Sequence, residues 1–438
     1  MQNLSDVPNV LISAGVEKKG FENMNVHDVI VIGGGPAGLI CAASCATHQK
    51  KVALLEKNAT FGKKLLITGA GKCNLTQEGE IGAFLHHYGT NSRFVKPCLY
   101  AFSNVDFRNF LHQKKLPTVS VENRKVFPQS MKASDVVDTL EAACRSERVA
   151  LHTNTAVTGI TQKDDLFEVV TNRATFYSKH LVISTGGVTY PQTGSTGDGH
   201  VFAKNFGHKI RPTKFALAPL IVKNFELSPF SGLSFERLSF THWRDGKKIN
   251  SYSGDALITH RGFSGPGMMN ASRYIEKDDW IHINFLSMAK LDSYESLSAW
   301  LVEQLTTNKK RLVRSVVNEW GLPKRLMDFF LKKAGVSDQL RCSELTKKTR
   351  STLLTLITSY PAEIKRVGSA ETAMVTAGGV DLSEVSPKTM ASRKVDRLYF
   401  AGEVLDVDGD TGGYNIQAAV SMGYLASETI RKKEETHP

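Results

Sequence analysis

The spacing of hydrophobic and polar residues changes several times along this chain. Between residues 28 and 205, continuous apolar runs alternate with helical patterns, which is typical of an α/β sheet. Between residues 210 and 285, apolar and polar residues alternate on either side of Asp245-Gly246, which predicts a β-hairpin in an antiparallel sheet. Between residues 286 and 360 the apolar positions take the helical period, and from residue 371 to residue 427 strand, glycine turn and helix return.

This alternation predicts one α/β domain that two inserts interrupt. We predict that residues 25–209 and 366–438 form the main domain. Residues 210–285 and 351–365 would form a β insert, and residues 286–350 a helical subdomain. Residues 1–24 show no clear period and precede the first strong strand, so we expect a poorly ordered leader there.

The strongest local signal is a buried parallel strand that runs into a glycine-rich turn. The apolar run Asp28–Ile32 is followed by G-x-G-x-x-G over Gly33–Gly38 and then by a helix. The first glycine permits a tight turn, Gly35 lets a pyrophosphate approach the backbone, and the third lets helix and strand pack closely. Glu56 ends the next strand, 21 residues after Gly35, where a carboxylate accepts both ribose hydroxyls. The arrangement predicts a site for FAD or NAD, whereas the carboxylate would repel the 2′-phosphate of NADP.

Three later segments favour FAD. A basic glycine-rich loop, Phe61–Leu75, includes Lys63 and Lys64 and suits a second part of a long anionic ligand; a plain surface loop is the alternative. The turns Ser184–Gly187 and Ala401–Glu403 each follow a strand, at the edge where α/β sheets bind ligands. An Ala-rich helix follows the second turn, and the N–H groups at its start would face a flavin pyrimidine ring.

Taken together, these segments resemble one family of flavoproteins. The fingerprint, the S-T-G-G turn and the late A-G-E strand are similar to the FAD-binding domain of two-dinucleotide-binding flavoproteins. The chain resembles the BaiN/RdsA (YhiN-type) family of NAD(P)/FAD-dependent oxidoreductases more closely. Four segments carry this resemblance: G-K-K-L-L-I-T-G-A-G-K-C-N-L-T, T-G-S-T-G-D-G, T-H-R-G-F-S-G-P and A-G-E-V-L-D-V-D-G-D-T-G-G-Y-N-I-Q. The resemblance covers Val26 to Ser427, with departures at Thr68, Ala70 and Lys72 that preserve size or charge. It implies a Rossmann-like FAD-binding domain, interrupted by a β-barrel-like insert and a small helical subdomain.

The resemblance also implies how a non-covalent FAD would be held. The phosphates would lie on Gly33, Gly35, Pro36, Ala37 and Gly38. The remaining contacts that it implies are Glu56 and Lys57 at the ribose, Val157 at the adenine, Lys63, Gly69, Gly71, Cys73, Asn74 and Leu75 along pyrophosphate and flavin, Thr185, Gly186 and Gly187 packed on the cofactor, and Gly402, Glu403, Asn415 and Ile416 at the flavin end.

The sequence assigns no catalytic residue and no metal ligand. Three residues are candidates for the substrate side: His260 and Arg261 in the β insert, for which a plain turn is the alternative, and Tyr414. Cys73 stands alone beside the predicted flavin contacts; packing is favoured over a redox role there because disulfide reductases use paired cysteines.

Composition narrows the class and the compartment. The chain has 438 residues, 41% hydrophobic and 22% charged, as in ordinary globular proteins. Its six cysteines include no C-x-x-C pair, which argues against a disulfide scaffold or a zinc ribbon and favours a reducing, cytoplasmic location. The uncharged segment Val29–Gln49 is long enough to cross a membrane, but its Gly and Pro residues favour strand, turn and helix instead.

Charge leaves three functions open. The net charge is +12, and residues 290–350 hold 13 Lys or Arg against 7 Asp or Glu, a surface that either binds an acidic partner or is simply solvated. We favour an FAD-dependent oxidoreductase that acts on a small molecule. The alternatives are an FAD-containing RNA-modifying protein that uses the basic segment, and a non-catalytic flavin sensor. NAD(P)H would visit only transiently as electron donor, because a second G-x-G-x-x-G is absent from the sequence.

Overall fold

The computed structural model describes residues 25–47, 50–121, 124–286 and 293–435. The predicted leader, residues 1–24, lies outside the described residues. The strands are β1 Val26–Ile32, β2 Val52–Leu55, β3 Thr76–Gln77, β4 Thr118–Val121, β5 Lys125–Pro128, β6 Ala150–His152, β7 Val157–Lys163, β8 Leu166–Thr171, β9 Thr175–Ile183, β10 Ile210–Ala216, β11 Leu220–Val222, β12 Ser234–Arg244, β13 Lys247–Ile258, β14 Gly262–Ser264, β15 Trp280–Asn284, β16 Tyr360–Val367, β17 Val375–Val380 and β18 Leu398–Phe400.

Helices connect and cover these strands. They are α1 Pro36–Ala46, α2 Lys63–Leu66, α3 Ile81–Phe84, α4 Ser92–Ala101, α5 Asn104–Gln113, α6 Ala133–Ser146, α7 Asp198–Asn205, α8 Pro266–Ala271, α9 Tyr294–Thr307, α10 Val313–Val317, α11 Lys324–Lys333, α12 Lys347–Thr358 and α13 Tyr414–Glu435. No helix within the described ranges combines the length and the apolar character that crossing a membrane requires.

A seven-stranded sheet forms the centre of the Rossmann-type domain. Its order is β6-β2-β1-β9-β8-β7, with β18 also paired to β9. The strands β6, β2, β1, β9 and β18 run parallel, and all four residues of β2 are buried, as expected where helices cover both faces. Because parallel strands share a direction, the turns after β1, β2, β9 and β18 meet at one edge of this sheet. The predicted α/β fold class is confirmed.

A closed barrel of six strands makes up the second layer of the molecule. Its order is β11-β14-β13-β12-β15-β16. The predicted hairpin is present, since Arg244 pairs with Lys247 across Asp245-Gly246. Helices α9 to α12 share one hydrophobic core with the barrel, in which Phe285 packs on Phe330. Strands β10 and β17 form a separate two-stranded sheet. The chain passes through β10 on its way from the central sheet to the barrel and through β17 on its way back, so this small sheet joins the two layers.

Candidate functional site

A cavity of about 650 Å³ opens where the parallel strands end. The turns after β1, β2, β9 and β18 form one side of it. Residues from the barrel layer and from β17, including Leu217, Met269 and Val375, form the opposite side. Such an edge is where α/β sheets bind nucleotides, and the cavity is large enough for a ligand that spans several turns.

Most residues that the sequence singled out surround this cavity. Those that line it are Gly33, Gly35, Pro36, Ala37, Glu56, Lys57, Lys63, Gly69, Asn74, Val157, Thr185, Gly186, Gly402, Glu403, Tyr414, Asn415 and Ile416. Those that do not line it are Gly38, Gly71, Cys73, Leu75, Gly187, His260 and Arg261.

Two of the residues outside the lining support it from behind. A Cβ on Gly38 would lie 2.0 Å from the carbonyl oxygen of Gly33, so only glycine lets α1 start this close to β1. A Cβ on Gly187 would lie 2.2 Å from Thr376 Oγ1. The requirement for glycine at both positions therefore comes from packing within the protein.

Cys73 is completely buried, which fits a packing residue. Burial raises the pKa of its thiol to about 12, so the reactive thiolate is scarce at neutral pH. All six cysteines lie within the described residues and all are free and buried.

His260 and Arg261, the predicted substrate-side residues of the β insert, do not line the cavity. Both are exposed in the turn between β13 and β14. A Cβ on the following Gly262 would lie 2.0 Å from the oxygen of Leu220, so this turn is held against β11. A contact of either residue with a substrate stays a prediction.

The first glycine turn has room for a ligand at one position. A Cβ on Gly35 would meet no protein atom within 4 Å, in contrast to Gly33 and Gly38. Helix α1 begins at the next residue, Pro36, without a side-chain cap. An uncapped helix N-terminus with open space before it is suited to a pyrophosphate, because the helix dipole favours negative charge there.

Glu56 is held in place at the end of β2. Its Oε2 accepts the backbone N–H of Gly34 at 2.8 Å, and its Oε1 accepts both the backbone N–H and the side-chain amide of Asn58, at 2.8 and 2.7 Å. The side chain lines the cavity although the residue is only 8% exposed. Each carboxylate oxygen keeps further acceptor capacity, which suits a ribose hydroxyl. Asn58 was not singled out from the sequence.

Two lysines near the turns form ion pairs across the cavity. Lys57 Nζ lies 2.6 Å from Asp198 Oδ2, at the start of α7. Lys64 Nζ lies 2.8 Å from Glu403 Oε2. The Glu403 carboxylate also accepts the backbone N–H of Thr376 at 2.9 Å. The basic loop is thereby tied to the end of β18, and Glu403 acts as a support as well as a lining residue.

Two buried oxygens test whether the cavity fits FAD. Asn74 Oδ1 and Thr185 Oγ1 are buried, line the cavity and have no hydrogen-bond partner among the described residues. Buried polar atoms without partners are rare and call for a ligand or water. With Glu56 and the open space at Gly35, they form a polar cradle that extends across several turns. The residues present therefore fit a dinucleotide such as FAD.

The other end of the cavity holds a linked group of five side chains. Tyr414, at the start of α13, stacks on His87 with 3.9 Å between ring centroids and 17° between planes. His87 Nδ1 lies 2.9 Å from Asp410 Oδ2, and Asp410 Oδ1 lies 3.0 Å from Arg273 Nη2. Arg273 also pairs with Asp408 at 3.2 Å. Burial raises the pKa of the Asp408 carboxyl, with Arg273 opposing that effect.

Tyr414 is the member of this group with a free functional atom. It is 8% exposed and lines the cavity, and no hydrogen bond joins its hydroxyl to another described residue. Burial, assisted by the charge of Asp410, raises the pKa of Tyr414 to about 12, so the hydroxyl keeps its proton at neutral pH. Sequence reasoning proposed Tyr414 but missed His87 and Arg273, which lie far from it in the chain and in no shared motif.

Replacing Glu56 by alanine is expected to raise the dissociation constant for FAD about 10- to 100-fold. The carboxylate would lose its hydrogen bonds to the ribose, each charge-assisted bond contributing roughly 1.5–3 kcal/mol before water recovers part of it. Titration of flavin-free protein with FAD, followed by flavin fluorescence, measures the change. Unaltered affinity in a folded variant would remove the adenosine half of the cofactor from this end of the cavity.

Comparisons with known proteins agree with this geometry. The HI0933-like protein Rossmann domain family matches residues 27–429. A ribosomal RNA dihydrouridine synthase of Haemophilus influenzae is 30% identical, over 92% of this chain and 98% of its own. The enzyme of that name from Escherichia coli is 29% identical, over 93% of this chain and 98% of its own. A 3-dehydro-bile acid delta(4,6)-reductase of Clostridium scindens is 28% identical, over 92% of this chain and 98% of its own.

The family match spans the central sheet, the barrel and the helices packed on it. The polar cradle combines the glycine turn at Gly35, the Glu56 carboxylate and the unpartnered buried oxygens of Asn74 and Thr185. A bound flavin cofactor requires such a surface. The chain therefore belongs to the HI0933-like Rossmann-domain family, and it is an FAD-dependent oxidoreductase.

Proposed function

We propose that this protein uses FAD to reduce the carbonyl-conjugated C=C bond of a uracil ring in ribosomal RNA. The names of the full-length relatives describe one kind of chemistry, the saturation of a C=C bond. In a uracil that bond is conjugated to the 4-carbonyl, so reduction adds a hydride to one carbon and a proton to the other.

The observation that carries the proposal is the position of the Tyr414 side chain in the cavity wall. The reduction needs a proton donor, and a phenol with a pKa of about 12 stays protonated at neutral pH. The ring is fixed by its stack on His87 and by an edge contact with Phe84 at 5.2 Å. Its hydroxyl makes no hydrogen bond to the described residues, so it is available to a substrate.

The surrounding residues position this donor. His87 Nδ1 lies 2.9 Å from Asp410 Oδ2, and Asp410 Oδ1 lies 3.0 Å from Arg273 Nη2, so the three side chains hold one another in place. Asn270 Oδ1 accepts the backbone N–H of Thr411 at 2.8 Å and fixes the segment before α13. These residues hold the ring of Tyr414 and the start of α13 at the cavity.

The cofactor would be held by the cradle described above, from Gly35 and Glu56 to Asn74 and Thr185. FAD bound there would supply the hydride, which a reduced nicotinamide, NADH or NADPH, would provide. In each cycle the nicotinamide loses a hydride, the substrate gains that hydride and a proton, and its C=C bond becomes a single bond. Tyr414 regains its proton from solvent.

A polyanionic substrate fits the charge of the chain. The net charge is +12, and Lys63 and Lys125 both line the cavity. Positive charge around a cavity raises the local concentration of a negatively charged substrate. RNA meets this description, whereas a neutral small molecule would gain nothing from the charge.

A second candidate substrate is a hydrophobic enone such as an unsaturated 3-oxo steroid. The observation in its favour is the apolar wall opposite the cradle, where Leu217, Met269 and Val375 pack together. Such a wall is complementary to a fused apolar ring system. A uracil ring needs less apolar surface than this wall provides.

One experiment separates the candidates. The purified FAD-loaded protein is reduced under anaerobic conditions and mixed either with unmodified ribosomal RNA transcripts or with a conjugated 3-oxo steroid. We expect the transcripts to reoxidise the flavin and to gain dihydrouridine, detected by mass spectrometry of the nucleosides. Turnover of the steroid alone would favour the second candidate, and reoxidation by neither would contradict both.

A further inference from the structure

The helical layer on the barrel carries a group of basic side chains that the cavity does not use. They come from two separate segments, residues 309–311 and residues 341–348. We call them the basic patch and define it by Lys309, Lys310, Arg311, Arg341, Lys347 and Lys348, all of which are exposed. None of these six residues lines the cavity.

Backbone hydrogen bonds bring the two segments together. The N–H of Cys342 donates to the carbonyl of Arg311 at 2.9 Å, and the N–H of Ser343 donates to that of Lys309 at 3.2 Å. Arg341 also forms an isolated β-bridge with Leu312. Lys347 follows Ser343 by four residues, a separation of at most about 14 Å in an extended chain. The patch is therefore one surface, although its members are up to 39 residues apart in sequence.

Few acidic groups neutralise this surface. Arg311 pairs with Glu319 at 2.8 Å, and the carboxylate of Glu344 is engaged by the backbone N–H of Arg341. Lys309, Lys310, Lys347 and Lys348 form no ion pair with a described residue. Exposed lysines elsewhere do form such pairs: Lys163 lies within 3 Å of Glu168, and Lys179 lies within 3 Å of Asp28. Unpaired cationic side chains that lie close together repel one another, and a bound polyanion relieves that repulsion.

The aromatic residues of this layer indicate how the polyanion would be bound. Between Lys309 and Lys348 the aromatic residues are Trp320, Phe329 and Phe330, and they pack into the core shared with the barrel. Trp320 and Phe330 are buried, and the half-buried ring of Phe329 is packed on Phe230, with 5.6 Å between ring centroids, so none of the three is fully exposed for a base to stack on. Recognition at the patch would therefore depend on phosphate groups and not on bases.

We infer that the basic patch binds the phosphate backbone of the RNA substrate, at a position separate from the cavity that holds the reacting uracil. This inference rests on the proposed function for the identity of the polyanion. The patch would anchor a folded RNA independently of sequence, while the cavity selects the base. Binding through phosphates releases counterions, so affinity must fall steeply with salt.

The test is RNA binding by the FAD-loaded protein in the absence of any reductant. The variant carries four substitutions, Lys309→Gln, Lys310→Gln, Lys347→Gln and Lys348→Gln. The control carries Lys115→Gln, Lys163→Gln, Lys179→Gln and Lys277→Gln, which lower the net charge by the same amount at exposed sites elsewhere. The probe is a fluorescently labelled ribosomal RNA transcript, titrated at several salt concentrations.

We expect the patch variant to bind the transcript about 10- to 100-fold more weakly than wild type, with the control close to wild type. The slope of log affinity against log salt should fall by about 3, since each lost phosphate contact contributes roughly 0.7–0.9. Flavin content and melting temperature should be unchanged, which shows that the variant is folded.

Several results would overturn the inference. These are a patch variant that binds RNA like wild type, a control that weakens equally, and a wild-type protein that binds anionic lipid vesicles but not RNA. The proposed function fails separately, if RNA is bound at the patch but no dihydrouridine forms with reduced flavin. The two failures are distinguishable because the binding assay needs no catalysis.

Discussion

Replacement of Tyr414 by phenylalanine is expected to slow reoxidation of the reduced flavin by substrate roughly 10²- to 10⁴-fold, the range contributed by a positioned proton donor. The variant keeps the ring that stacks on His87 and contacts Phe84, so only the hydroxyl is lost. Reduction of the flavin by a nicotinamide does not use this proton and should keep its rate. Stopped-flow measurement of the two half-reactions separates these effects.

The pH dependence gives a second measurement on the same residue. Burial raises the pKa of Tyr414 from 10 to about 12, so the donor form persists through neutral and moderately alkaline pH and is lost only as pH approaches 12. We expect the wild-type rate of reoxidation to show no loss from this group below about pH 10. A phenylalanine variant with the wild-type rate would exclude Tyr414 as the donor.

A change of His87 to glutamine serves as the positioning control. It removes the ring that stacks on Tyr414 but leaves the hydroxyl in the protein. We expect a smaller loss of rate than for Tyr414→Phe, because the donor remains and is only less well oriented. A loss in His87→Gln together with a wild-type rate in Tyr414→Phe would assign the proton to His87 instead.

The second large effect is expected from Gly35→Val, which should raise the dissociation constant for FAD at least about 100-fold. The backbone at Gly35 is extended, with φ of −79°, and its missing Cβ faces empty space. Valine therefore fits the fold but occupies the position of the pyrophosphate. Each tenfold loss of affinity corresponds to about 1.4 kcal/mol, so a 100-fold loss corresponds to about 2.8 kcal/mol. Loss of the close approach between the pyrophosphate and the backbone at the start of α1 is the cause.

Two other glycines provide matched controls for that experiment. Gly159 on β7 also has open space around its missing Cβ but does not line the cavity, so Gly159→Val should leave FAD binding unchanged. Gly38→Ala should lower the melting temperature, because its Cβ would lie 2.0 Å from the oxygen of Gly33. FAD titration and thermal unfolding of the three variants measure both effects. Tight FAD binding by Gly35→Val would show that no phosphate lies at this turn.

The sequence and the tertiary structure account for different parts of the site. The cradle was predictable because its parts follow one another closely: β1, the glycine turn, α1, β2 and Glu56 occupy a single short stretch of chain. Strand, turn and helix are governed by local spacing, and the reach of the chain places the carboxylate beside the turn. The hairpin at Asp245-Gly246 was predictable for the same reason.

Other features needed the folded chain. His87 meets Asp410 across 323 residues of sequence, and Lys57 meets Asp198 across 141. No local period encodes these contacts; they form because β18 inserts beside β9 and because β11 closes the barrel against β16. Likewise, only the folded chain shows that His260 and Arg261 are exposed and do not line the cavity.

The amino-acid sequence by itself determined the class of fold and predicted a dinucleotide site at the end of the first strand, since both depend on short-range spacing of glycine, apolar and acidic residues. The choice of FAD depended on later segments of the chain and on the family resemblance. Only the tertiary structure decided which side chains meet at the far end of the cavity. Tyr414, His87 and Arg273 come from three different elements, and their contacts depend on how the barrel packs against the sheet. Packing of distant elements is set by side-chain complementarity across the whole core, which local sequence patterns do not contain.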